Sequence, residues 1–123
     1  MVMDMFRGIL NRLPENTAYT FYVNQLRAAQ CQGSGAVYKA VDDLSYAFIF
    51  GPEYANRSRS NTQFVGDLYN AFLRRGGELS GTQFWIDELS SGRRTRDQLR
   101  YAFMGSAEFN ARVADIIGAG CLH

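Results

Sequence analysis

Six arginines form the one basic cluster of the sequence. They are Arg74, Arg75, Arg93, Arg94, Arg96 and Arg100. A guanidinium group binds carboxylates and phosphates through two parallel hydrogen bonds, so this cluster could contact an anionic polysaccharide or an acidic partner. The alternative is a solvated helix edge that contacts nothing. The sequence leaves both interpretations open.

The sequence offers few groups for catalysis. Its only histidine is the last residue, His123, so we expect no Ser–His or Cys–His nucleophile system. Adjacent carboxylates occur at 42–43 and 87–88, but such pairs on helices usually form solvated surface. Neither a calcium-binding DxDxDG loop nor a GxxxxGK[ST] phosphate loop is present. We therefore predict that the protein is not an enzyme and needs no metal ion or cofactor.

Charge and hydropathy argue against two further kinds of partner. The formal net charge is +1, from 13 basic and 12 acidic side chains, which gives no electrostatic reason to expect nucleic acid. No apolar run approaches the roughly 20 residues that a membrane span needs, so we expect no membrane insertion. The first ten residues, MVMDMFRGIL, lack the basic region and cleavage site of a secretory leader.

Two cysteines, Cys31 and Cys121, lie far apart in the chain. They could be two buried thiols or one disulfide. Each stands in a small, polar, glycine-containing context that is unusual for a core position, which favours the disulfide. In the chain-entropy model such a long loop would stabilise the fold by roughly 4–5 kcal/mol. The bond would imply an oxidising compartment.

The two halves of the sequence resemble each other. An offset of 63 residues aligns 1–26 with 64–89 without a gap, and an offset of 55 aligns 46–57 with 101–112. Self-similarity of this kind indicates an internal repeat.

We predict one compact domain over 1–123, with a first repeat at 1–60 and a second at 61–123. The first helix of the second repeat should begin near Asn61, whereas its counterpart would be cut short at Met1. We therefore expect the chain to be an excised part of a longer protein.

Both halves contain the same turn motif. It joins an arginine, a helix break, a glutamate and an aromatic pair, and its marker residues are Arg12, Pro14, Glu15 and Tyr22 in the first half and Arg75, Glu78, Gly81 and Trp85 in the second. We expect each arginine to pair with the glutamate across the turn, and Thr17 and Ser80 to cap the next helix. The aromatic pairs, Phe21–Tyr22 and Phe84–Trp85, should anchor the core. All of this can be purely structural.

Apolar residues recur at helical spacing almost throughout, and no segment alternates with period two. Pro52 suits the first turn of a helix, Ser106 suits an N-cap, and Thr95 with Gln98 matches a capping box. The sequence predicts an all-α fold, a compact bundle of about eight short helices formed by two tandem repeats.

Residues 64–112, FVGDLYNAFLRRGGELSGTQFWIDELSSGRRTRDQLRYAFMGSAEFNAR, resemble the bacterial domain of unknown function 4214. Residues 1–57 resemble a second, more diverged copy. The resemblance implies a helical module of a secreted or cell-surface protein, similar to the helical domains of phycobilisome linkers and to the polysaccharide-anchoring region of some surface-layer proteins. It also supports the Cys31–Cys121 disulfide. It supplies no catalytic residues.

These features lead us to expect a non-catalytic accessory module of an extracellular bacterial protein. It would bind cell-surface polysaccharide or a protein partner, such as a neighbouring domain of the parent protein. The alternative is a purely structural linker or assembly domain with no small ligand. An exposed Trp85 or Tyr22 among the arginines could stack on a sugar ring and would favour sugar binding. Buried aromatics together with scattered arginines would remove that support.

Overall fold

The computed structural model describes residues 1–119, and these form an all-α fold with no strand. The helices of the first half are α1 (Val2–Met5), α2 (Asn16–Gln30), α3 (Ser34–Ile49) and α4 (Pro52–Asn56). Those of the second half are α5 (Asn61–Leu68), α6 (Leu79–Ser90), α7 (Arg96–Met104) and α8 (Ala107–Gly118). The all-α prediction is confirmed, and the eight helices of the described part agree with the expected number.

The first helix of each half ends in a π-helical turn. Helix α1 continues as Phe6–Leu10, and α5 continues as Tyr69–Leu73. Each turn stops at a residue in the left-handed conformation, Asn11 with φ 52° and Arg74 with φ 58°. The left-handed residue reverses the chain direction after the helix, as helix ends commonly do. It places the next residue, an arginine in both halves, at the start of the turn.

The helix starts follow local sequence rules in part. Pro52 occupies the first turn of α4, Thr95 and Gln98 form a complete capping box, and the Ser106 hydroxyl accepts from the backbone of α8, all as predicted. The prediction of caps at Thr17 and Ser80 is wrong. Helices α2 and α6 begin directly after Glu15 and Glu78, which lie at the N-cap without a side-chain cap hydrogen bond.

The buried apolar residues form one cluster that draws on both halves. The two π turns contact each other at its centre, where Gly8 lies against Ala71. A Cβ atom on Gly8 would lie 2.6 Å from the backbone nitrogen of Ala71. Only glycine permits this close approach. The offset of 63 makes these two residues equivalent positions of the two halves.

Contacts between the halves are reciprocal. Helix α1 contacts the second π turn, and its equivalent α5 contacts the first π turn. Ion pairs also join the halves, from Arg112 to Asp4 at 2.8 Å and from Arg59 to Asp67 at 2.9 Å, although these two arginines are not equivalent residues. Contacts between equivalent positions and reciprocal pairs are the pattern of a two-fold relation. The halves are therefore arranged about an approximate two-fold axis that passes near Gly8.

The predicted placement of the aromatic pairs in the core is only half right. Tyr22 and Trp85 are half-buried and pack against the buried cluster. Their neighbours Phe21 and Phe84 are 56% and 50% exposed. Helix α6 has no buried residue at all. Helical rotation explains the difference, because adjacent residues on a helix point about 100° apart, and α2 and α6 lie at the surface with only a narrow face toward the core.

Candidate functional site

Arg100 lies inside the fold. Its side chain is 1% exposed, and its guanidinium group contacts Asp42 on α3 and Asp97 on α7. It also donates to the Ser45 hydroxyl at 3.0 Å. Arg100 therefore holds α3 and α7 together and is unavailable to a ligand. This corrects its predicted place in a surface cluster.

The other arginines of the basic cluster are already engaged. Arg93 and Arg94 both pair with Glu88, at 3.0 and 3.5 Å. Arg74 pairs with Asp4 at 3.5 Å. Arg96 donates to the Arg59 carbonyl and the Asn61 side chain. Each arginine thus already has an acidic or carbonyl partner, with Glu88 shared by Arg93 and Arg94, and together they do not form one open basic surface.

One member of the cluster, Arg75, borders a surface cleft that also contains aromatic residues. We call it the C cleft and define it by Tyr69, Arg75, Trp85, Phe103 and Glu108. Its volume is about 160 Å³. The Phe103 ring contacts Tyr69 and Trp85 at centroid distances of 4.9 and 5.7 Å. Arg75 lies over the Tyr69 ring at 5.3 Å. The cleft therefore has an aromatic floor with a charged rim.

The rim of the C cleft is an ion-pair network. Two nitrogens of Arg75 bind the two carboxylate oxygens of Glu108, the Nε–Oε2 distance being 2.9 Å, and Nη1 binds Glu78 at 2.5 Å. These bonds lower the pKa of both glutamates and raise the pKa of Arg75. All three groups are charged at neutral pH. Carboxylates held in this way are poor proton acceptors, so the network favours binding over acid–base chemistry.

A second cleft of the same composition lies in the first half. We call it the N cleft and define it by Phe6, Arg12, Tyr22, Phe48 and Glu53. Its volume is about 280 Å³. The Phe48 ring contacts Phe6 and Tyr22 at 4.7 and 5.5 Å, and Arg12 lies over Phe6 at 5.2 Å.

Arg12 forms the rim of the N cleft as Arg75 forms that of the C cleft. It binds both oxygens of Glu53, at 2.6 and 2.9 Å, and pairs with Glu15 at 3.1 Å. The bond to Arg12 lowers the pKa of Glu53. The predicted pairing of arginine and glutamate across each turn is thus confirmed in both halves. Every defining residue of the N cleft is related to one of the C cleft by the offsets of 63 or 55.

The two clefts differ at one contact. Tyr69 carries a hydroxyl group where the N cleft has Phe6, and Gly81 stands where the first half has Ala18. A Cβ atom on Gly81 would lie 2.9 Å from the Tyr69 hydroxyl oxygen. The hydroxyl group therefore occupies the space that the alanine methyl group fills in the first half.

Sequence reasoning missed the two long-range carboxylates of these clefts. Glu53 and Glu108 look like ordinary first-turn residues, whose negative charge favours the helix dipole. Their position at the same place in both halves, with an arginine at the same place in each turn, was the signal that could have paired them.

Comparison with protein-family models gives one match, to "Domain of unknown function (DUF4214)", over residues 45–113. This is more than half of the chain. The chain belongs to the DUF4214 family. The DUF4214 match includes all five residues that define the C cleft, whereas Phe6, Arg12 and Tyr22 of the N cleft lie outside it. No curated protein and no solved structure matches the chain.

Within residues 1–119, no group of three or more histidine, cysteine or carboxylate side chains could hold a metal ion. In the same part of the chain, no helix is both long and apolar enough to cross a membrane.

Proposed function

We propose that the protein is a non-catalytic binding module and that its C cleft binds one sugar ring of a cell-surface polysaccharide. The observation that carries the proposal is the aromatic floor of this cleft beside the Arg75–Glu108 pair. The C–H face of a pyranose is apolar and stacks on aromatic rings. Its hydroxyl groups both donate and accept, so they match a guanidinium group that lies next to a carboxylate.

The volume of the C cleft and the charge of its rim limit the size and charge of the ligand that it can bind. Sites that enclose drug-sized molecules measure about 300–1,000 Å³, so a cleft of about 160 Å³ suits one ring. The rim holds one arginine and two glutamates, Glu78 and Glu108, and so carries a net negative charge. An anionic sugar would be repelled there. We therefore replace the anionic ligand of the sequence-based hypothesis by a neutral or amino sugar.

A glycan array with neutral and anionic bacterial surface polysaccharides tests this function. We expect binding to neutral or amino sugars, with loss in Trp85→Ala and in the milder Glu108→Gln. Arg93→Ala is the matched control, because Arg93 is exposed and lies outside the cleft definition. Circular dichroism verifies that each variant is folded. Absence of binding across the array, or equal binding by Trp85→Ala and the wild-type protein, would contradict the proposal.

The second candidate is a structural linker or assembly domain without a small ligand. One observation favours it: helix α6 buries no residue, and its Leu79 and Phe84 are 88% and 50% exposed. Exposed apolar side chains on one helix are typical of a surface that contacts another protein. Loss of array binding together with a specific contact to a neighbouring domain of the parent protein would support this alternative.

We also propose an extracellular or cell-surface location, with a Cys31–Cys121 disulfide. Cys31 lies at the C-cap of α2, but Cys121 lies outside the described residues, so the pairing stays a prediction. Intact mass after alkylation, with and without reductant, counts the free thiols. Two alkylated cysteines without reductant would contradict the disulfide.

Finally, we propose that the halves 1–60 and 61–123 are tandem copies of the same domain. The support comes from the two clefts, which combine the same kinds of residue at the same offsets, and from the two π turns. The test is expression of 61–123 alone. A folded, array-active fragment would support a self-contained copy, and an unfolded one would show that the halves need each other.

A further inference from the structure

The N cleft duplicates the chemistry of the C cleft. Each has an aromatic floor, an arginine over one floor ring at 5.2 or 5.3 Å, and a glutamate bound by two nitrogens of that arginine. Arg12 and Tyr22 border the N cleft as Arg75 and Trp85 border the C cleft. The N cleft is the larger of the two, about 280 against about 160 Å³.

The N cleft has a longer arginine–glutamate contact at its rim and a smaller residue in its floor. In the C cleft, Arg75 is bound by Glu78 at 2.5 Å, and the Tyr69 hydroxyl adds bulk to the floor. In the N cleft, the distance from Arg12 to Glu15 is 3.1 Å and the floor residue is Phe6, which has no hydroxyl group. The charges are the same in both, one arginine and two glutamates. A ring that fits the C cleft therefore meets matching groups and no less space in the N cleft.

The symmetry of the two halves sets the direction in which the clefts face. Gly8 and Ala71 contact each other as equivalent residues, and α1 contacts the second π turn as α5 contacts the first, so the halves follow an approximate two-fold axis. A two-fold axis takes a straight line that lies off the axis either to a different line or to the same line with its direction reversed. A polysaccharide has a reducing and a non-reducing end, so one straight chain cannot enter both clefts in the same orientation.

We propose that the protein is bivalent and bridges two separate segments of neutral polysaccharide, one in each cleft. The proposal rests on the proposed function, since it assigns the same sugar chemistry to the second cleft. It goes further in its consequence, because the module would cross-link two polysaccharide strands and would not bind one strand at two points.

The first experiment counts the sites. Methyl glycosides of glucose, galactose, mannose and N-acetylglucosamine are titrated into the ¹⁵N-labelled full chain and followed by NMR. We expect two saturable sets of shifts, one around Tyr22 and one around Trp85. Tyr22→Ala should remove the first set only, and Trp85→Ala the second only. The milder Glu53→Gln and Glu108→Gln variants provide the same separation if either aromatic variant unfolds.

The second experiment detects bridging. The matching soluble homopolymer (dextran for glucose, mannan for mannose) is mixed with the protein, and its hydrodynamic radius is followed by light scattering. We expect growth with the wild-type protein and none with either single-cleft variant. On a surface densely coated with the homopolymer, the single-cleft variants should lose about 100-fold in apparent affinity, because one bound cleft no longer holds the other near its ligand.

The outcomes of these experiments distinguish failure of the bivalent proposal from failure of the proposed sugar-binding function. Shifts around Trp85 alone would overturn the bivalent site and leave the proposed function standing. Absence of both sets with all four glycosides and their polymers would overturn the proposed function as well. Two sets of shifts without growth of the polymer would show that both clefts bind but do not bridge, and would overturn the proposed cross-linking.

Discussion

The Tyr69 hydroxyl oxygen lies 2.9 Å from the position that a Cβ atom on Gly81 would take. In the first half, Phe6 and Ala18 occupy the equivalent positions. One half has the hydroxyl group and no methyl group, and the other has the methyl group and no hydroxyl group. The two residues of each pair should therefore be energetically coupled.

A double-mutant cycle tests this coupling. Gly81→Ala should destabilise the protein by about 1 kcal/mol, because the 3%-exposed Tyr69 ring has little room to move. In the Tyr69→Phe background the same change should stabilise by about 0.5–1 kcal/mol, since alanine is the better helix former. Urea unfolding measures both. Gly66→Ala on α5 is the control, because nothing lies within 4 Å of the added atom. Equal effects of Gly81→Ala in both backgrounds would contradict the coupling.

Gly8→Ala should destabilise the fold by about 1–3 kcal/mol, since the added methyl group would overpack the contact between the two π turns. The atoms it would meet include the backbone nitrogen and Cα of Ala71, at 2.6 and 2.7 Å. Ala71→Gly removes only a side chain, so it should not restore stability in the double variant. Urea unfolding measures all three variants. Full rescue by Ala71→Gly would mean that the backbone contact is not limiting.

Buried and exposed arginines of the basic cluster should contribute differently to the free energy of unfolding. Arg100→Ala should cost about 1.5–3 kcal/mol, because it removes charged hydrogen bonds to Asp42 and Asp97. Arg100→Lys should recover little, since one ammonium group cannot replace the fork that reaches both carboxylates. Arg93→Ala, with its side chain 60% exposed, should cost less than about 1 kcal/mol. Chemical denaturation ranks the three, and equal losses for Arg100→Ala and Arg93→Ala would show that the buried network contributes nothing extra.

Much of the fold follows from local rules in the sequence. The 3.6-residue period indicates the helices, and Thr95, Ser106 and Pro52 mark three of their starts, because capping depends on a few neighbouring residues. The family resemblance is likewise carried by residues that are close in sequence. The arginine–glutamate contacts within each turn were predictable for the same reason.

The features that sequence reasoning missed depend on distant contacts. Arg100 lies in an arginine-rich segment that looks like surface, and its partner Asp42 lies 58 residues away. Glu108 lies 33 residues from Arg75. The π turns end at Asn11 and Arg74, and only the asparagine is of a type that favours the left-handed conformation, so the local signal is weak in the first half and absent in the second. The clefts therefore depend on how the helices pack against one another, which no local sequence pattern specifies.

Stability should fall in acid as the rim glutamates gain protons. The Arg12 and Arg75 bonds lower the pKa of Glu53, Glu78 and Glu108 below their ordinary value of 4.5. A carboxylate whose pKa is lower in the folded state stabilises the fold above its unfolded-state pKa, and this contribution disappears as the pH falls through the folded-state value. We therefore expect the free energy of unfolding to be level near pH 7 and to decrease below about pH 4.5.

Urea unfolding from pH 7 to pH 3 measures this dependence. The Glu108→Gln variant then shows how much of it comes from Glu108. The variant should be less stable than the wild-type protein at pH 7, and its stability should depend less steeply on pH, because one of the three titrating carboxylates is gone. Glu53→Gln should behave in the same way, since its arginine contact is equivalent. High salt should reduce both differences, because these ion pairs are exposed. An unchanged pH dependence in both variants would show that the rim pairs contribute nothing to folding and serve only to shape the clefts.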